Sequence, residues 1–262
     1  MTVRIDDTTI HYVEYGEGVP VVLLHGSRVD HHLMTGCFEP VFEEIGGYRR
    51  IYPDLPGMGL SKPGKGVYDD TTITEVLIRF INLVLGDAPF LLVGESFGGQ
   101  LARGIIERIS DRILGALFLC PYIADIKQTL PERQVLISDP EFMVSLSSEQ
   151  RKTFALLSVV QTKEAQEQYH RDIEQYLHLA DHAFIDALGQ TLEFDLSRRY
   201  YFPTAFITGR QDNCTGFEGA YEILPCYPRA SFTVLDCAGH NLQIDRAKTF
   251  RALVEEWLYR IR

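Results

Sequence analysis

The 262-residue chain is short of positive charge: 25 lysines and arginines face 36 acidic residues, a formal net charge of −11. Such a surface repels phosphate backbones and anionic headgroups, which excludes nucleic acid and anionic membrane as natural partners. It also lacks long apolar runs. Stretches such as Val19–Leu24 and Ala116–Cys120 hold only a few residues, far below the roughly 20 that a membrane-spanning helix needs. Cysteine is sparse and unpaired in pattern: Cys37, Cys120, Cys214, Cys226 and Cys237 are odd in number, with no C-x-x-C and no paired histidines nearby. That excludes a disulfide framework and a zinc finger, and predicts free thiols in a reducing compartment. The segment Met1–Asp7 has no basic stretch followed by an apolar one, so no signal peptide is expected and the location is read as cytoplasmic. With 45% apolar and 23% charged residues, composition is that of a globular chain and excludes disordered, collagen-like and coiled-coil classes.

What is present is a rhythm of strands and helices. Val3–Ile5 and Ile10–Tyr15, split by Asp6-Asp7, read as a hairpin. Pro20–Leu24, Arg50–Tyr52, Phe90–Val93 and Leu114–Cys120 are short runs suited to buried strands. Between them, Asp30–Ile45, Thr71–Leu85 and Phe97–Ile109 carry helical spacing, the first two closed by glycine. Alternation of this kind predicts an α/β fold with a mostly parallel central sheet flanked by helices. It stops at Pro121. From Ile123 to Arg199 the chain reads as helix without a clear strand, with pieces at Pro131–Ile137, Ser148–Val160, Lys163–Leu179 and Asp181–Leu188. It resumes with strands at Thr204–Thr208 and Ser231–Leu235 and a helix at Arg246–Arg260. Residues 1–123 and 200–262 are therefore expected to form one core domain, with 124–199 inserted as a helical cap.

The strongest chemical signal is Gly94-Glu95-Ser96-Phe97-Gly98-Gly99, a G-x-S-x-G pattern between strand and helix. A serine on so sharp a turn needs neighbours without Cβ atoms, here Gly94 and Gly98. The turn lifts the hydroxyl to the positive end of a helix, where an oxyanion can be stabilised. Serine needs a base, and the base needs an orienting partner. His240 and Asp212 follow strands and stand in the chain order Ser, Asp, His that this elbow requires. Asp125, just past the strand Leu114–Cys120, is the alternative acid. The Phe97 amide and the Ser27 amide, in the loop His25-Gly26-Ser27-Arg28, are the expected oxyanion donors; Gly26 permits close approach, and His25 is read as a structural loop residue. The stretch Gly59–Lys65 fits G-x-x-x-x-G-K, but Gly66 replaces the required Ser/Thr and Pro63 removes an amide.

With His25-Gly26, Asp54-Leu55-Pro56-Gly57-Met58-Gly59-Leu60-Ser61, the Ser96 elbow, Asp212 and Gly239-His240 in place, the chain resembles the α/β-hydrolase fold superfamily over nearly its whole length. The resemblance implies the α/β-hydrolase fold with a helical cap and a mainly structural role for Asp54–Ser61. It also implies a serine hydrolase acting on a small, largely apolar ester, thioester or lactone, with no metal or organic cofactor. A small-molecule substrate is the expected partner, and a homodimer stays open. Carbon–carbon bond hydrolysis, ligand reception and lyase chemistry are the alternatives on the same scaffold.

Overall fold

The computed structural model describes residues 1–261. In chain order the elements are β1 (Thr2–Ile5), β2 (Thr8–Tyr15), β3 (Val19–Leu24), α1 (His31–Ile45), β4 (Tyr48–Pro53), α2 (Asp70–Leu85), β5 (Phe90–Glu95), α3 (Phe97–Ile109) and β6 (Ile113–Leu119). Then come β7 (Ile137–Ser138), α4 (Pro140–Ser145), α5 (Ser148–Leu157), β8 (Val160–Gln161), α6 (Lys163–Asp172) and α7 (His182–Asp186). The last group is β9 (Thr204–Gly209), α8 (Glu218–Glu222), β10 (Ala230–Leu235), α9 (Leu242–Asp245) and α10 (Ala247–Tyr259).

Eight strands form one sheet in the order β1-β2-β4-β3-β5-β6-β9-β10. β1 pairs with β2, and β2 with β4, in antiparallel fashion; every other pairing in this sheet is parallel. The strand pleat explains the uninterrupted apolar runs. Val22, Leu24, Phe90, Leu92, Ala116 and Phe118 face one side, packed against Ile73, Leu77 and Phe80 of α2 and Leu101 and Ile105 of α3. Val21, Leu23, Leu91, Val93, Leu117 and Leu119 face the other, against Leu33 and Phe38 of α1 and Phe250, Val254 and Trp257 of α10. A strand covered on both faces has no position left for a polar alternation. The α2 start is held by a capping box between Asp69 and Thr72.

The segment between β6 and β9 departs from expectation in detail. Residues 131–136 form no helix. Instead Leu136 N–H donates to Val159 O, and β7 pairs with β8 in parallel register. Pro131 and Pro140 bracket the stretch, and the β-branched residues Ile137, Val159 and Val160 suit extended backbone. The helix expected over Lys163–Leu179 breaks at Ile173 (φ −136°, ψ −64°) and continues as a tighter 3₁₀ turn over Glu174–Leu179. Ile173 is buried in the core, so tertiary packing overrides local helical preference there. The final helix forms as expected, α10 covering Ala247–Tyr259, and is preceded by the short helix α9, from which Arg246 separates it. Among the described residues no helix is long and apolar enough to cross a membrane.

Candidate active site

β3, β5, β9 and β10 are parallel, so the loops after their C-terminal ends meet on one rim of the sheet. Open α/β sheets present ligand sites on that rim. The strand-to-helix turn after β5 holds Ser96 at φ 50° and ψ −119°, a left-handed conformation that a side-chain-bearing residue adopts only under constraint. The constraint is visible in the flanking glycines. A Cβ on Gly98 would lie 2.4 Å from the Leu24 carbonyl oxygen, and one on Gly94 would lie 2.4 Å from the Gly98 carbonyl oxygen.

His240, on the loop between β10 and α9, places Nε2 2.9 Å from Ser96 Oγ. Its Nδ1 lies 2.9 Å from Asp212 Oδ2. An imidazole whose Nδ1–H donates to a carboxylate has Nε2 free to accept, so the arrangement fixes the tautomer that can take a proton from serine. Asp212 is fully buried. It accepts the backbone N–H groups of Cys214 (2.9 Å) and Thr215 (3.0 Å) on Oδ1, and the Thr215 hydroxyl (2.8 Å) on Oδ2. Burial alone would raise the Asp212 pKa, but His240 and these donors hold it below the usual carboxylate value. Burial acts to lower the His240 pKa; attraction to Asp212 overcomes it and lifts the imidazole well above its ordinary value.

Asp125 is held elsewhere: its carboxylate forms a two-pronged pair with Arg103, one prong at 2.9 Å. Phe97 and Ser27 both line a cavity of about 240 Å³ with Ser96, together with Tyr122, Gln190, Cys214 and Thr215. Among the described residues neither the Phe97 nor the Ser27 amide donates a hydrogen bond to the protein. His25 is buried; its Nε2 accepts from Leu55 N–H (2.9 Å) while Nδ1–H donates to the Gly26 carbonyl (2.7 Å). It thus ties the Gly26 loop to the Asp54 loop in its neutral form, and burial lowers its pKa accordingly.

A second cavity of about 360 Å³ is also lined by Ser96, here together with His240. Its walls are mostly apolar, with Leu156, Leu157, Tyr169, Ile173 and Leu177 from the segment between β6 and β9 facing Leu33 of α1. Tyr176 does not line it; its ring stacks on His32 at 3.5 Å between centroids. One carboxylate links this segment to the His240 loop: Asp245 accepts from Gly239 N–H (2.9 Å) and Val160 N–H (3.0 Å). Sequence reasoning missed Thr215, which donates to Asp212 three residues before it, and Asp245 and Glu95, which reach residues on other loops.

Two other groupings could suggest ligands. His11, His31 and Asp54 bring metal-ligating atoms within 4.8 Å of one another. Both Asp54 oxygens are already occupied, by the two Nδ1 atoms and by the His31 and Leu60 amides, which fits a structural knot. In the Gly59–Lys65 stretch, Lys62 pairs with Thr9 and the Lys65 amide donates to Asp7. The Asp7 carboxylate thus takes one of the amides a phosphate cradle would use.

The model of the Alpha/beta hydrolase family matches residues 21–253. The chain belongs to this family. Over its full length the fold matches an alpha/beta superfamily hydrolase from Oenococcus oeni PSU-1, with a TM-score of 0.89, 27% identity and 99% of that chain covered. The chain is also 27% identical over 263 residues to a 2-hydroxymuconate semialdehyde hydrolase of Pseudomonas putida, covering 96% of this chain and 90% of that one. A proline iminopeptidase of Neisseria meningitidis serogroup B is 24% identical over 277 residues, covering 88% and 86% respectively.

Proposed function

We propose that this α/β hydrolase family member is a serine hydrolase of small, largely apolar carbonyl compounds: esters, thioesters or lactones. The observation that carries this reading is the Ser96–His240–Asp212 relay, 2.9 Å at each step, opening onto a mostly apolar cavity. Ser96 Oγ attacks the carbonyl carbon as its proton passes to His240 Nε2. The carbonyl oxygen, now an anion, accepts from the Ser27 and Phe97 amides. Collapse breaks the bond to the leaving group, which takes the proton from His240. Water then repeats the sequence on the acyl-enzyme and releases the acid. Asp212 holds the imidazole in register and stabilises its charged form.

Residues 124–199 act as a lid that selects the acyl chain, because the apolar cavity wall opposite the core comes from this segment. Carbon–carbon bond hydrolysis is the second reading, supported by the likeness to the semialdehyde hydrolase. The guanidinium at this cavity, Arg28, is already paired with Asp186 and His182, which favours neutral substrates. A panel of p-nitrophenyl esters, lactones and 2-hydroxymuconate semialdehyde, assayed with wild type and Ser96→Ala, tests the reading. Ester turnover that falls by several orders of magnitude in Ser96→Ala supports it; turnover unchanged in Ser96→Ala defeats it.

A further inference from the structure

Glu95 ends β5 directly before the nucleophile, and its side chain is only 3% exposed. Its Oε1 stands 3.5 Å from His240 Nε2, the same nitrogen that faces Ser96 Oγ. Its Oε2 packs on Gly26, where a Cβ would lie 2.3 Å away. This oxygen is buried and has no hydrogen-bond partner among the described residues. The side chain also borders the larger cavity. A buried carboxyl with an unpartnered oxygen opposes folding, and an apolar side chain of similar size would fill the space without that cost. What the carboxyl adds is a titratable charge beside the proton-carrying nitrogen.

We propose that Glu95 is a positioning residue for proton transfer: a second carboxyl partner of His240, acting at Nε2 while Asp212 acts at Nδ1. The proposal rests on the roles given above to Ser96 and His240. When Nε2 takes the Ser96 proton, ionised Glu95 attracts the imidazolium and favours proton uptake. When Glu95 is protonated that attraction is gone, and the imidazolium passes its proton to the leaving group more readily. Glu95 exchanges no atom with the substrate.

Burial pushes the Glu95 carboxyl up to about 7; the His240 charge and the Gly26 amide oppose this and Asp212 adds to it. Glu95 therefore changes charge in the neutral range. The other titratable groups facing it are Cys120 after β6 and Cys37 on α1, both raised by burial and neutral there. Glu95 and His240 are close enough to titrate as a coupled pair.

The test is the pH dependence of kcat/KM for Glu95→Gln against wild type, on an ester that the wild type turns over. Removing a negative charge beside the imidazole lowers the His240 pKa. The acid limb should then move to lower pH by about 1–2 units, the scale of an opposite charge within ~4–6 Å. Glu95→Asp, which keeps the charge, should retain most of the wild-type limb. Superimposable limbs, or a shift to higher pH in Glu95→Gln, overturn the proposal. Should Glu95→Gln fail to fold, the His240 ring resonances of the wild type give the answer. Two coupled titration steps are expected, and a single step refutes the pairing. A wild type that neither turns over esters nor reacts with a fluorophosphonate would instead refute the serine-hydrolase reading.

Discussion

Asp212 and Asp125 follow neighbouring strands of one sheet, yet they are held quite differently. Asp212 is fully buried, with four donors converging on it, one of them His240. Asp125 is part-exposed and committed to Arg103, whose guanidinium lies 3.7 Å above the Phe194 ring. Chain position alone would allow either to serve as the acid. Their partners separate them: Asp212 meets His240 Nδ1, whereas both Asp125 oxygens are taken by Arg103. The same contrast runs at larger scale between the two walls of the apolar cavity. The core wall presents polar groups, Ser96, His240 and Glu95 among them, from strand ends and loops; the facing wall presents mainly apolar side chains from short helices and turns, with Thr153 and His182 among them. On the proposed function, one wall serves chemistry and the other fit.

The sharpest way to break the first comparison is to exchange the two acids' roles. Asp212→Asn should reduce kcat by roughly 10³–10⁴, since an amide can stabilise the wrong tautomer and carries no charge. Asp125→Asn should leave kcat near wild type and lower stability by about 1–3 kcal/mol, through the weakened bond to a buried guanidinium. Steady-state kinetics and denaturant melts on both variants check this. The reverse pattern would assign the acid to the β6 loop.

The second comparison is sharpened by changing the facing wall. Leu157→Phe or Ile173→Ala should alter kcat/KM between short and long acyl chains by ~10–200-fold, the scale of a few methylenes in a pocket. The rate of reaction with a very small phosphonate should change far less. Equal changes in both would mean the segment does not act by fit.

The smallest effect concerns support for Asp212. Thr215→Val removes one donor from Oδ2 while the backbone amides remain. About 1 kcal/mol, or five- to tenfold in kcat, is the expected loss. A loss as large as that of Asp212→Asn would make the threonine hydroxyl an equal partner in the relay.

How much of this was legible beforehand follows from how local each feature is. The elbow and the helix Phe97–Ile109 were readable, because glycine spacing, strand and helix start all lie within one short stretch. The inner strands β5, β6 and β9 were readable because their burial on both faces leaves a continuous apolar signature. The break at Ile173 and the β7–β8 pairing were not, since each depends on what the segment packs against. The significance of Glu95 depends on Nε2 of a residue in another loop; its place inside the elbow motif was the available signal, and only the buried, unpartnered oxygen gives it meaning. Thr215 carried a fainter one, a hydroxyl three residues beyond an aspartate, the spacing of a local side-chain turn.

The most direct measurement is reaction with a fluorophosphonate followed by peptide mass spectrometry. A single phosphonyl adduct on the peptide containing Ser96 is expected, formed faster as pH rises through the His240 ionisation. The adduct should be absent from folded Ser96→Ala and nearly absent from His240→Ala. Labelling at another residue, or undiminished labelling of Ser96 in folded His240→Ala, would contradict a serine nucleophile activated by His240.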